Sequence, residues 1–376
     1  MQSVSSATAQ GGIGGFGFDN AKAGVGGAAL LVDVVSGHSN GGALTLDQDA
    51  SGGLGGSTNR TSNGGFVGAA TSTLHFDDTL NAVHSALVTT NVTATGGAAE
   101  AVQRISSDVL AGNGGAATAF ADITATAVSL DVTATGGRPG TAFVGGLAGS
   151  ATATAIGLAG GQVDVHVTAS GGLGTASSGL ATVAASGLTG TIHATASATT
   201  VPGVLVGHVD ADASSTLKGA VAALDSGADV ARAGLGLAIA PMDTTSQSVA
   251  LITGAPVAAD VAGVLAATAA IKAAFTTPSQ SFFAIGERGG RCSVAGHGSE
   301  LAHSQFDIAV DLTYLPVKQD LLVGFYGGQS FGAGYLGKRY EPVAQGLRQR
   351  GRSGHLFHQP RRGSWRPVGF PFWRRV

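Results

Sequence analysis

One phrase recurs through the middle of the chain and limits what it can fold into. It reads Asn91-Val92-Thr93-Ala94-Thr95-Gly96-Gly97, then Asp131-Val132-Thr133-Ala134-Thr135-Gly136-Gly137, then His166-Val167-Thr168-Ala169-Ser170-Gly171-Gly172, with a fainter copy at Gln48-Asp49-Ala50-Ser51-Gly52-Gly53. Each copy alternates a polar or β-branched residue with a small apolar one and stops at a Gly pair. Period-two alternation marks a strand with one buried face, and the Gly pair reads as a turn. From Thr95 to Thr135 is 40 residues and from Thr135 to Ser170 is 35, the spacing of stacked supersecondary units. The expected fold is mostly β: a parallel β-solenoid or stacked-sheet repeat body, with one short helix and a β-rich C-terminal cap. A stacked antiparallel sandwich would give the same local pattern.

Composition narrows this further. Charged residues make up 11% of the 376, against roughly 25% in ordinary soluble domains, while the 62 glycines are more than twice the usual share of about 7%. With aromatics at 6%, a core of Ala, Val, Leu and Thr must be thin, which suits sheets in narrow layers. The single cysteine, Cys292, excludes an intrachain disulfide, and its polar surroundings carry no triad signature. No apolar run reaches about 18 residues, so no membrane span is read. Residues 1–10 have neither a basic stretch nor an apolar run, so no intact export signal is read there, although Ala7-Thr8-Ala9 has the small-x-small form of the end of one. Charge is unevenly spread. Residues 338–376 hold ten of the 20 Lys and Arg and one acid, Glu341, leaving 10 basic and 22 acidic residues before them, a net of −12. A dilute acidic body favours solubility over nucleic-acid binding.

Four regions follow. Residues 1–80 are Gly-rich, with apolar islands at Ala28–Val35 and Gly65–Gly68 that read as short strands between turns. Residues 81–250 form the β-repeat body, with further alternating runs at Ile123–Val128, Ala151–Ile156 and Thr191–Ala196. Residues 251–337 hold a helix at 257–275, opened by Pro256 and stopped before Pro278, and then strands at Ser281–Gly286, Phe306–Thr313 and Asp320–Phe325. Residues 338–376 form a basic tail rich in Arg, Pro and Trp with no period, expected to be disordered.

The V-x-V-T-A-T-G-G units, the segment Phe282-Phe283-Ala284-Ile285-Gly286-Glu287, and the run from Phe306 to Asp320-Leu321-Leu322-Val323-Gly324-Phe325-Tyr326-Gly327-Gly328 resemble a group of Gly/Ala/Thr-rich bacterial repeat proteins. The resemblance spans roughly residues 80–335. It implies an exported, surface-associated structural or adhesive protein of uncharacterised function, and it supplies no catalytic residues. The tail from Lys338 departs from the further β-rich region it would imply.

Candidate chemistry is sparse. Gly14-Gly15-Phe16-Gly17-Phe18-Asp19 fits the G-G-x-G-x-D turn that brings carbonyls and a carboxylate onto Ca²⁺, making Asp19 the one metal candidate, although such sites need stacked copies. Asp47 with Asp49, Asp210 with Asp212, and Asp307 with Asp311 place carboxylates on one strand face, a pattern suited to glycoside hydrolysis and also to plain solvated strands. His166, His193 and His208 have no Cys or Glu at ligand spacing. Thr93/Thr95, Thr124/Thr126, Thr133/Thr135 and Thr152/Thr154 each put two hydroxyls on a strand face, and stacking would make them a regular surface array able to order water. A polyglycine bundle would need Gly-Gly-X triplets in long tandem, and the triplets here are scattered.

The expected function is non-enzymatic: an extracellular or cell-surface bacterial protein acting through a repetitive β face in adhesion or scaffolding. Its expected partners are surface glycans, matrix or further copies of itself. It calls for no cofactor beyond the Ca²⁺ candidate. The alternatives are a carbohydrate-active enzyme on a β-solenoid and an ice-binding threonine array.

Overall fold

A computed structural model describes residues 2–19, 21–58, 64–100, 110–141, 145–174, 176–187, 191–199, 208–217, 245–253, 266, 285–291, 301–310, 322–324 and 373–375. The chain is mostly β. Its strands are β1 (Gln2–Gln10), β2 (Ala29–Val32), β3 (Ala43–Ser51), β4 (Ala70–Asp77), β5 (Leu87–Thr95), β6 (Ala117–Ala125), β7 (Val128–Thr135), β8 (Ala151–Ala159), β9 (Val163–Ser170), β10 (Gly179–Gly187), β11 (Thr191–Thr199), β12 (His208–Leu217), β13 (Thr245–Thr253), β14 (Ile285–Arg291), β15 (Leu301–Val310), β16 (Leu322–Gly324) and β17 (Trp373–Arg375).

From β1 to β13 successive strands fall alternately into two sheets; β14 then joins the first, β15 the second, and β16 and β17 pair with each other. The first runs β1-β3-β5-β7-β9-β11-β13-β14 and the second β15-β12-β10-β8-β6-β4-β2. Pairing is parallel throughout the second sheet and from β1 to β11 in the first; β13 and β14 add to it antiparallel. The repeat spacing is the register. Thr95 lies opposite Thr135, and Thr135 opposite Ser170, so each copy of the phrase stacks on the next. The faint copy joins them, with Ser51 opposite Thr95, and Gln10 opposite Ser51 shows that Ala7–Gly12 is a fifth. No break in either sheet falls at residue 80, since β3 pairs with β5 and β4 with β6.

The alternation buries one face of each sheet against the other. In the first sheet Ala50, Ala94, Ala134, Ala169 and Ala196 form an all-alanine column, beside Val92, Val132 and Val167, then Leu46, Leu130, Val165 and Ile192, all buried. The second sheet contributes Leu74, Ala121, Ala155 and Val183. The sheets interlock by size: a Cβ on Gly157 would stand 2.8 Å from Cγ2 of Val165. The alanine column is the last buried one before the Gly pairs, so the buried side chains shrink toward the glycines.

The Gly pairs are not turns, which corrects the sequence expectation. The first glycine of each pair extends the parallel ladder: Gly11, Gly52, Gly96 and Gly136 donate to Ser51, Thr95, Thr135 and Ser170, each at 2.8 Å. The second turns across to the returning segment of the chain. Gly27 donates to Gly12, Gly53 to Gly27, Gly68 to Gly53, Gly97 to Gly68, Gly115 to Gly97, Gly137 to Gly115, Gly149 to Gly137, and Gly172 to Gly149, all between 2.7 and 2.9 Å. Along Gly11–Gly17 every third residue donates, to Ser51, Leu54 and Ser57, with bonds running between segments. A repeat of three without internal hydrogen bonds is polyproline II geometry, and side-by-side packing of such chains admits only glycine where backbones touch. A Cβ on Gly53, Gly97, Gly137 or Gly172 would come within 3.0 Å of a neighbouring carbonyl oxygen. The glycines scattered in the sequence are thus gathered by the fold into one layer beside the sheets, and Gly65–Gly68 belongs to that layer, not to a strand.

Two buried polar groups tie the early repeats together. Gln48 occupies the position that is Val92 one repeat later; its amide donates to the Thr73 carbonyl (2.9 Å) and Ser72 Oγ (3.2 Å) of β4 and accepts from Val34 N (3.3 Å). Asp78, in the one-turn 3-10 helix Asp78–Leu80, accepts from Ser85 N (2.6 Å) and Asn81 Nδ2 (2.9 Å), closing the loop between β4 and β5.

Other expectations shift in detail. Ala28–Val35 is a strand only over β2 and ends at Asp33, whose φ is +51° and whose carboxylate accepts from His75 N at 2.7 Å. Ile123–Val128 is divided by a bend at Thr126-Ala127, with β6 before it and β7 after. Runs at Ala151–Ile156 and Thr191–Ala196 lie within β8 and β11. The helix expected at 257–275 lies outside the described residues but for Ala266, and the tail from 338 lies outside them but for β17, which pairs with β16.

Candidate functional surface

The outward positions of the first sheet form columns. In register stand Asp49, Thr93, Thr133 and Thr168; beside them Ser51, Thr95, Thr135 and Ser170; and on the other side Asp47, Asn91, Asp131 and His166. Neighbours within a column are about 4.8 Å apart and neighbours along a strand about 6.6 Å. The Thr and Ser side chains are half-buried by one another, while Asn91, Asp131 and His166 stand exposed. Hydrogen bonds run along the face: Asn91 Nδ2 donates to Asp47 at 2.6 Å, Thr133 Oγ1 to Asp131 at 3.2 Å, and Gln162 Nε2 to Asp164. The result is a flat polar grid of hydroxyls, methyls, amides and carboxylates.

The second sheet's outer face is mixed. Thr71, Thr118 and Thr152 are followed by Leu180, Thr73 is followed by Phe120 before Thr154, and Asp122 by Ile156. The eight threonines expected as one array therefore divide. Thr93, Thr95, Thr133 and Thr135 share the first sheet, whereas Thr124, Thr152 and Thr154 lie on the second, and Thr126 sits in the bend after β6. Sequence reasoning missed Thr168, Ser170 and Ser51, which complete the first-sheet columns. The signal was present, since each occupies the threonine position of its own phrase.

The carboxylate pairs divide between the two sheets. Asp47 and Asp49 are in the grid, Asp210 and Asp212 are half-buried on β12, and Asp307 is on β15 while Asp311 lies outside the described residues. His166 is in the grid, and His193 is its register partner on β11. His208 opens β12, and Cys292 is outside the described residues. Asp19 lies at the tip where the first glycine segment reverses, beside Phe16 and Phe18, whose rings meet edge to face at 4.6 Å. Gly14 and Gly17 of its motif are taken up in packing against Gly24 and Ala21. Among the described residues no three His, Cys, Asp or Glu gather as metal ligands, and no helix is long and apolar enough to cross a membrane.

No family model matches the chain, and neither curated proteins nor solved structures yield a match.

Proposed function

We propose that this chain is a non-enzymatic structural repeat protein of the bacterial exterior. In this reading its two parallel sheets are the successive coils of a β-solenoid, and its first-sheet face is an adhesive or scaffolding surface toward glycans or matrix. The observation that carries the reading is the in-register grid of Asp49/Thr93/Thr133/Thr168, Ser51/Thr95/Thr135/Ser170 and Asp47/Asn91/Asp131/His166. A flat lattice of donors and acceptors repeats one weak contact many times, and repeated weak contacts sum to strong attachment. Such a surface suits a periodic target such as a polysaccharide. A glycan array with a parallel reducing-sugar assay tests it. Binding without turnover is expected, and the double substitution Thr133→Lys/Thr135→Lys should abolish binding without changing the unfolding midpoint. Turnover without array binding would end this reading in favour of a carbohydrate-active enzyme.

The paired Thr and Ser columns also favour a second reading, an ice-binding face, because hydroxyls and methyls at two fixed spacings form a template for ordered water. The carboxylates of Asp47 and Asp131 in the adjoining column weigh against it. Thermal hysteresis at sub-zero temperature, lost in the same double variant, would establish it over the glycan reading.

A further inference from the structure

The polar grid carries fixed charge of one sign only. None of β1, β3, β5, β7, β9 and β11 contains Lys or Arg. The four Lys and Arg before residue 218 are Lys22, Arg60, Arg104 and Arg138, and each falls in a connection leading from a first-sheet strand to the next strand of the second sheet. Asp47, Asp49 and Asp131 stand on the face itself, Asp131 exposed and the other two half-buried. Asp47 and Asp131 take their hydrogen bonds from uncharged groups: Asn91 Nδ2 donates to one at 2.6 Å and Thr133 Oγ1 to the other at 3.2 Å. A carboxylate has about four acceptor sites, so one neutral donor leaves both its charge and most of its capacity. The three are also spread out. Asp47 and Asp131 share a column two strands, about 10 Å, apart with Asn91 between them, and Asp49 is about 7 Å from Asp47 along β3. Among the described residues no three His, Cys, Asp or Glu gather to hold one ion. A ligand that answers all three carboxylates therefore needs several positive charges set along an extended molecule. Around them Thr93, Thr133 and Asn91 offer hydroxyls and an amide, which match sugar hydroxyls better than aliphatic side chains.

We propose that the ligand of this face is a cationic glycan, a polysaccharide of amino sugars with free, protonated amino groups. Its ammonium groups pair with Asp47, Asp49 and Asp131, and its ring hydroxyls bond to the threonine columns between them. This inference rests on the glycan reading of the grid given above and names the charge class of the ligand. A neutral polysaccharide leaves the carboxylates unanswered, and an acidic one sets like charge against like.

Titration calorimetry of the full chain tests it at mildly acidic pH, with hexosamine oligomers of equal length, one sample de-N-acetylated and one fully N-acetylated. The variant is Asp47→Asn/Asp131→Asn, which removes two charges and keeps an acceptor for Asn91 and for Thr133. The parent should bind the free-amine oligomer about tenfold more tightly than the acetylated one, and added salt should shrink the difference. In the double variant the two should bind alike, with an unchanged unfolding midpoint. If the double variant does not fold, Asp131→Asn alone should lower the preference about threefold. Equal binding of the two oligomers by the parent, or an undiminished preference in a folded variant, would overturn this inference and leave the glycan reading standing. Binding of neither oligomer would overturn it as well, and the glycan array then decides the broader reading on its own. Oligolysine bound as tightly as the free-amine oligomer would overturn the assignment to a sugar, since charge alone would then suffice.

Discussion

Gly137 illustrates why this chain needs so much glycine. Its N–H donates to Gly115 and its carbonyl accepts from Gly149, and a Cβ there would meet the carbonyl oxygen of Gly97. Gly137→Ala must push two backbone segments apart, so it should cost about 3 kcal/mol through overpacking and stretched hydrogen bonds. Gly15 is the control. Nothing lies within 4 Å of a Cβ built there, so Gly15→Ala should be neutral or stabilise by up to about 1 kcal/mol through the unfolded chain. Urea midpoints of the two variants check both. Gln48 makes a different point. Gln48→Leu keeps the size, leaves Val34 N without its partner and takes one of two donors from Thr73 O, which keeps the N–H of Asp33, so a loss of about 1 to 2 kcal/mol is expected in the same measurement. An unchanged midpoint would mean that water replaces the side chain.

At the scale of elements, strands were legible because alternation is local: a half-buried strand writes its two faces into adjacent residues. The distances Thr95–Thr135 and Thr135–Ser170 even carried the register, since stacking leaves each copy opposite the next. The Gly pairs were misread because a single chain does not reveal what a missing Cβ admits. A polyproline II layer needs period three across neighbours, and here each repeat supplies only a few glycines, 35 to 44 residues from the next set. The copy in β1 was overlooked because Ser3, Ser5 and Ala7 stand where later repeats carry Leu44, Leu46 and Gln48. The polar grid was half legible. Each threonine pair was visible, but assignment to one sheet or the other required the bend at Thr126 and the return through glycine. The core gives a contrast to measure. Ala134→Leu in the narrow column should cost about 2 kcal/mol by overpacking, and Leu130→Ala about 3 kcal/mol by leaving a cavity. Outward Thr133→Val should move stability by no more than about 0.5 kcal/mol. Thermal midpoints would rank the three, and a large loss for Thr133→Val would mean that this face is covered.

On the scale of the whole molecule, sheets and glycine layer are one stack from β1 to β9, because β1, β3, β5, β7 and β9 each run directly into a glycine segment and the segments bond to one another. The layer holds the ends of the sheets together, so the flat outer face is kept regular from β3 to β9 without disulfides or large side chains. Amide hydrogen exchange of the native protein, resolved by residue, tests this most directly. The N–H groups of Gly53, Gly68, Gly97, Gly115, Gly137 and Gly149 should exchange as slowly as those of Val92 and Val132 within the strands. Fast exchange at these glycines, at rates of an open loop beside protected strands, would contradict the account and restore the Gly pairs as ordinary turns.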